Sequence, residues 1–360
     1  MTNRERERET LDFGCPEGRG SVEETFYPWD LTLGRFVEEG LPKELADGLT
    51  PGKLPEGEWY LRASWGEPVM ELESYLGFDP VRRIKLVVPA IGEADGTHPM
   101  IRGLDDWKRK KEEAIGEIQR FLSEKSLEMA FGGLKERHQR GEFSLRMNLE
   151  GFFWIPRELL GIERHLYAFY DEPELLHDIN SFVLGFYEEW LGRLFSVIQP
   201  DVVYIQEDLS GKNGPMISTD FFNEFVGDYY RKLIPLMKES GVGNVFVDTD
   251  GDFKRLIPSF LDAGVDGFLP MDVNAGMDIN AVREEFPSLK FIGSFNKLEI
   301  AKGKEAIDRE FARLLPVIRQ GGYIPGTDHQ VAPSTSLENY RYYIKRLKEA
   351  MKEAGTEAKK

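Results

Sequence analysis

The second half of the chain repeats one unit five times, a short apolar run followed by a helical pattern, and no other feature restricts the fold as much. The runs are Val202-Val203-Tyr204-Ile205, Asn244-Val245-Phe246-Val247, Gly267-Phe268-Leu269-Pro270, Phe291-Ile292-Gly293-Ser294 and Tyr323-Ile324-Pro325-Gly326. Helical patterns occupy 217–240, 252–263, 278–286, 304–319 and 336–354. Strands alternating with helices make right-handed βαβ crossovers and a parallel sheet. Strand-like runs also lie upstream, at Ile84–Val88 and Phe143–Trp154. Together they predict an α/β fold, a (β/α)₈ TIM barrel of roughly 250 residues. A doubly wound open sheet is the alternative.

The residues just after these runs are polar: Glu207 and Asp208, Asp248 and Asp250, Asp272 and Asn274, Asn296 and Lys297, Asp328 and His329. In a barrel, strand ends converge on one face, so the series predicts a site there. Any single Asp or Asn at such a position is also a helix cap. Val247-Asp248-Thr249-Asp250-Gly251-Asp252 brings three carboxylates close together, which calls for a cation or shared protons. Asp252 reads as an N-cap, leaving Asp248 and Asp250 as metal ligands or an acid/base pair. Among the five histidines, His98 falls in a Gly-Thr-His-Pro loop and His138, His165 and His177 fall in helices. His329 alone stands at a βα junction, where proton transfer or ligation is expected. The polar stretch Glu207 to Met216 carries Lys212, suited to neutralising Glu207 or Asp208 or to holding a substrate carboxylate. Dinucleotide fingerprints, a P-loop and a Gly-x-Ser-x-Gly elbow are missing from the sequence.

Charge narrows the partners. With 46 Lys and Arg against 63 Asp and Glu, the 360-residue chain carries a formal −17. Nucleic acid and anionic membrane surfaces are excluded by that excess. A single cysteine, Cys15, rules out an intrachain disulfide and cysteine-based zinc clusters. The alternating charges of Arg4 to Glu9 and the lack of any apolar run near the roughly 18 residues of a membrane span predict a cytoplasmic protein. Residues 1–83 lack a regular pattern and are expected to form an N-terminal extension packed on the barrel, with helices at Arg4–Leu11 and Thr32–Glu39 and one or two strands within 56–66. The barrel is expected over 84–354, followed by a disordered tail at 355–360.

Several motifs, in order, resemble the uroporphyrinogen decarboxylase superfamily, which includes cobalamin-dependent methyltransferases. They are Gly161-Ile162-Glu163 with Asp171-Glu172-Pro173-Glu174-Leu175; Glu207-Asp208 with Lys212-Asn213-Gly214-Pro215-Met216-Ile217-Ser218; Asp250-Gly251-Asp252; and Gly293-Ser294-Phe295-Asn296-Lys297. Gly321-Gly322-Tyr323-Ile324, leading to Asp328-His329 and Glu338-Asn339-Tyr340, completes the set. The resemblance implies a barrel with its cleft at the C-terminal face. Where the decarboxylases carry porphyrinogen-gripping arginines, this chain has Glu23 and Glu24, leaving Arg19, Arg62, Arg82, Arg83 and Arg157 as available cations. Where the methyltransferases hold zinc through His-x-Cys and a later Cys, it has Asp248, Asp250 and a third position at Asp328 or His329.

The expectation is therefore a corrinoid-linked methyltransferase acting on a small methylated or methyl-accepting substrate, its corrinoid supplied by a partner protein. Asp248, Asp250 and His329 are its catalytic groups, as ligands of zinc or another divalent metal or as metal-free acid/base groups, with Glu207 orienting them. Asp208, Lys212, Asp272, Asn296, Lys297, Arg157 and Asp328 are expected to contact substrate. The alternatives are cofactor-free uroporphyrinogen III decarboxylation and a non-catalytic corrinoid- or partner-binding subunit. A homodimer is compatible with each.

Overall fold

A computed structural model describes residues 1–14, 16, 18–49, 61–62, 66–92 and 99–357. Cys15, His98 and most of 56–66 lie outside them. Its strands are, in chain order, β1 (Leu61–Arg62), β2 (Val81–Leu86), β3 (Ser144–Glu150), β4 (Val202–Gln206), a hairpin of β5 (Ser210–Gly211) and β6 (Gly214–Pro215), β7 (Asn244–Asp248), β8 (Gly267–Leu269), β9 (Lys290–Phe295) and β10 (Tyr323–Thr327). The main sheet runs β1-β2-β3-β4-β7-β8-β9-β10. All its pairs are parallel except β1 with β2. All five runs of the second half are strands at the predicted places, and helices follow them as the pattern requires.

The closed eight-stranded barrel is the point of difference. Seven parallel strands curl, and among the described residues no ladder joins β10 to β2. Residues 21–25 of the extension lie in that gap, held mainly by side chains. Glu24 Oε1 accepts hydrogen bonds from the Thr327 amide (2.8 Å) and hydroxyl (2.9 Å), the contact a strand carbonyl would otherwise make. On the β2 side, Arg83 donates to the Glu24 carbonyl at 2.8 Å and the Asp79 amide to the Val22 carbonyl at 2.7 Å. Gly326 permits the approach, because a Cβ there would meet Thr25 Oγ1 at 2.4 Å. The last helix, Leu337–Glu357, runs past the predicted start of a tail at 355; 358–360 are not among the described residues.

The outer layer follows ordinary burial physics. Helix Pro173–Val197 starts with proline in its first turn and buries Leu175, Leu176, Ile179, Val183, Phe186, Trp190, Leu194 and Val197 at helical spacing. Each such side chain contributes about 2 kcal/mol by leaving water. The concave side is unusual. Strand β3 is buried along its whole length, yet Leu145, Met147 and Leu149 pack outward on the helices while Arg146, Asn148 and Glu150 occupy the opposite face. On that same face Leu11, Val202, Phe246, Leu269, Ile292 and Ile324 make an apolar floor inside the sheet.

In register with Val202 of that floor, Arg146 is buried between Glu7, at 2.7 Å, and Glu23. Burial, only partly offset by Arg146, pushes Glu23 up to about 8. Glu24 also accepts from the Tyr340 hydroxyl at 2.9 Å. Both acids are thus buried and hydrogen-bonded within the fold, and neither occupies the substrate-facing place that the resemblance suggested.

Candidate functional site

The strands' C-terminal ends gather five aspartates. Asp208 follows β4, Asp248 ends β7 with Asp250 just beyond it, and Asp272 and Asp328 follow β8 and β10. Their protonation shows that they feel one another. Burial, then repulsion from Asp208 and Asp250, drives Asp248 well above the usual carboxylate range. Burial, then Asp208 and Asp272, raises Asp250 to about 7. Burial raises Asp328 to about 6 and raises Asp208 as well. Carboxyls so placed hold protons near neutrality, which is what proton-transfer chemistry requires.

The backbone is strained at the same face. Ala90 (φ 61°), Asp208 (φ 44°), Met271 (φ 62°) and Ser294 (φ 63°) are left-handed at or just beyond strand ends. Non-glycine residues hold such angles where the surroundings impose them, and these positions concentrate at functional sites.

His329 stands at the rim. The Gln330 amide donates to its Nδ1 at 2.8 Å, so the neutral ring carries its proton on Nε2. Nε2 lies 4.0 Å from Asp250 Oδ2. Rings of Phe26 and Trp29 flank the imidazole with centroids at 5.5 and 6.1 Å. Burial, then Lys297, lowers its pKa, keeping it neutral at physiological pH.

The other expected residues divide by what they bond. Asp208 accepts from the Asp250 amide at 3.2 Å, and its carbonyl accepts from Arg157 at 3.0 Å, so Arg157 borders the aspartates. Arg19, Arg82 and Arg83 are engaged elsewhere, by Asp79, Glu67 and Glu73. Asp328 accepts from the Lys297 amide (3.0 Å) and the Asn274 side chain (3.1 Å), with Lys297 Nζ at 3.8 Å. Asp272 and Asn296 do what the capping reading says: Asp272 accepts from the Asn274 and Ala275 amides and Asn296 from Leu298. Lys212 is exposed in the β5–β6 turn and makes no ion pair among the described residues.

Glu207 faces elsewhere. Fully buried, it accepts from the amides of Phe152 (3.0 Å), Phe153 (2.8 Å) and Trp154 (3.0 Å) and from the Tyr230 hydroxyl (2.5 Å). Its carboxylate anchors the first turn of helix Trp154–Leu160, which carries Arg157, and makes no hydrogen bond to Asp248 or His329; only the Glu207 backbone amide meets Asp248, at its carbonyl (2.9 Å). Gly151 makes room for it, since a Cβ there would fall 2.1 Å from the Glu207 carboxyl carbon.

These residues do not suit the metal centre that the family's methyltransferases imply. The free His329 nitrogen presents N–H and no lone pair toward Asp250, and Asp208 and Asp328 are occupied by N–H donors. Among the described residues, no three His, Cys, Asp or Glu side chains are placed to share a cation. The other histidines among the described residues are engaged within the fold: His138 bonds Asp201 at 2.7 Å, His165 is enclosed by Phe153 and Phe169, and His177 meets Tyr229 at 3.0 Å. No helix among the described residues is long and apolar enough to cross a membrane.

Sequence reasoning missed the inner lining: Lys85, Asn148, Glu150 and Tyr204, with Phe26 and Trp29 above. The signal was present in Ser144-Leu145-Arg146-Met147-Asn148-Leu149-Glu150, whose polar alternate positions mark a concave face that is not purely apolar.

A search of curated proteins finds no match to the chain. Among solved structures, a methyltransferase from Methanosarcina mazei is similar with a TM-score of 0.61 at 14% identity, covering 97% of this chain and 98% of its own. A protein described as a vitamin-B12 independent methionine synthase from Listeria monocytogenes reaches a TM-score of 0.42 at 10% identity, covering 93% and 98%. The family model for uroporphyrinogen decarboxylase (URO-D) matches residues 134–350, more than half of the chain, and the protein belongs to that family.

Proposed function

We propose that the protein is a methyltransferase that moves a methyl group between a small methylated compound and a corrinoid carried by a partner protein. The observation that carries this reading is the pair at the rim: an Asp250 carboxyl raised to about 7, placed 4.0 Å from the Nε2–H of a neutral His329. When a methyl group leaves a heteroatom, the bonding electron pair stays on that atom, which must carry or gain a proton to depart as a neutral product. Asp250, about half protonated near neutrality, supplies or retains that proton, while His329 Nε2–H holds the heteroatom. Burial, then repulsion from Asp208 and Asp272, favours the protonated form of Asp250. The partner's corrinoid supplies the nucleophile for the methyl group. No metal step is included, since the donor set does not suit one.

The lining also speaks against a porphyrinogen. Its carboxylates would face Asp208, Asp248, Asp250, Asp272 and Asp328, with Lys85 and Lys297 already beside Glu150 and Asp328.

The test mixes pure protein, reduced cobalamin and a panel of methylated amines, ethers and thioethers, and follows the cobalt spectrum. Methyl transfer slowed about a hundredfold or more by Asp250→Asn and His329→Ala is expected. Absence of transfer with every donor, or turnover of uroporphyrinogen instead, overturns the reading.

A further inference from the structure

Below the aspartates a second layer of polar side chains faces the concave side. Strand register sets Lys85, Asn148, Tyr204 and Phe246 side by side across β2, β3, β4 and β7, and Glu150, Gln206 and Asp248 in the next row toward the mouth. Adjacent strands are about 4.8 Å apart, so these are neighbouring side chains. Phe246 belongs to the inner apolar floor, so its row faces inward. Asn148 is 7% exposed, and its amide makes no hydrogen bond among the described residues. Ser294, in the row of inward positions on β9, is 0% exposed and its Oγ has no partner among them either. Buried amides and hydroxyls are nearly always paired with protein or water, so two unpaired ones on the concave face of one sheet point to a polar guest there.

The rest of the lining says what kind. Phe26 and Tyr204 pack on the apolar floor, and Phe26 and the half-exposed Trp29 stand at the mouth beside His329. The nearby cations are already engaged: Lys85 lies 3.5 Å from Glu150, Lys297 lies 3.8 Å from Asp328, and Arg157 donates to the Asp208 carbonyl. The Asp248 carboxylate accepts no hydrogen bond from any described residue; its carbonyl accepts from the Glu207 amide. A polar chamber with an apolar floor, aromatic rings and surplus carboxylate suits a positive charge wrapped in alkyl groups; an anion would be repelled and a neutral hydrocarbon would leave the amide unpaired.

We propose that the chamber formed by Asn148, Tyr204, Asp248 and Ser294 beneath the Phe26 and Trp29 rings binds a small organic cation of the alkylammonium class. The proposal rests on taking this cleft as the substrate site and is independent of the reaction run there. The aromatic faces meet the alkyl groups, Asp248 and Asp250 meet the charge by releasing the protons they hold in its absence, and Asn148 and Ser294 hydrogen-bond a hydroxyl or N–H of the same molecule.

Calorimetric titration of the full chain with choline, with its neutral isostere in which a tert-butyl group replaces trimethylammonium, and with propionate tests it. Choline is expected to bind at least about tenfold more tightly than the isostere, with propionate weakest. Trp29→Ala, at a half-exposed position, and Asn148→Ala are each expected to weaken choline about fivefold or more while thermal melting confirms a folded protein. Equal binding of the isostere, preference for propionate, no binding at all, or unchanged affinity in both folded variants overturns the proposal. Choline binding without methyl transfer leaves the chamber standing and removes the methyl-transfer reading alone.

Discussion

At the residue scale, Asp250 and Glu207 show how similar carboxylates come to opposite uses. Asp250 sits among Asp208, Asp272 and Asp328 and is held near neutrality in pKa by burial and their repulsion. Its folded value is raised, so it favours folding while protonated, and that contribution fades as pH rises through about 7. Asp250→Asn removes a charge that repels its neighbours. It should therefore raise the melting temperature most at about pH 8 and least at about pH 4, and still abolish most activity. A lower melting temperature at the alkaline end would contradict the repulsion argument. Glu207 takes four hydrogen bonds in a dry layer. Glu207→Ala leaves those donors unpaired, and urea unfolding should show a loss of about 3 kcal/mol or more. A loss under about 1 kcal/mol would mean that water or another group replaces the carboxylate.

At the scale of elements, the extended segment 21–26 matters most, because it fills the gap between β10 and β2 and carries Phe26 to His329. Glu24→Ala removes the acceptor for the Thr327 amide, the Thr327 hydroxyl and the Tyr340 hydroxyl. Faster amide hydrogen exchange along β10, with weaker ligand binding at the mouth, is the expected outcome; unchanged exchange there would show that backbone contacts alone hold the segment. This part was not legible in the sequence, because a segment held by side chains leaves no periodic trace. The strands of the second half were legible, since each is a short apolar run closed by polar residues. So was the gathering of Asp248, Asp250 and His329 at one face, which follows from topology alone. The direction of Glu207 was harder: one residue beyond β4, a carboxylate looks the same in sequence whether it enters the cleft or turns under the next helix. Alternation gives the answer only once Tyr204 is known to face inward.

At the scale of the molecule, the acidic excess of −17 is spent in two ways that titrate in opposite directions. Carboxylates tied to cations or hydrogen-bond donors, among them Asp201, Asp178, Glu142 and Glu39, have lowered pKa values, so their stabilisation is present above the unfolded value near 4 and is lost on acidification. The buried set, Glu23 at about 8, Asp250 at about 7, Asp328 at about 6 and Asp248 well above its usual range, is raised, and binds more protons in the fold than in the open chain. Its stabilisation is complete below the unfolded value and is lost as pH climbs through the folded ones. The two sets overlap only on the acid side of neutrality. Stability should therefore peak at about pH 4 to 5 and fall by about pH 8, and the fall should shrink in Asp250→Asn. Added salt should restore little of it, because the groups responsible are buried and poorly screened. Melting curves across this range at low and high ionic strength decide the matter. A melting temperature that is flat or still rising at the alkaline end would show that the clustered aspartates are neutralised by something other than their own protons.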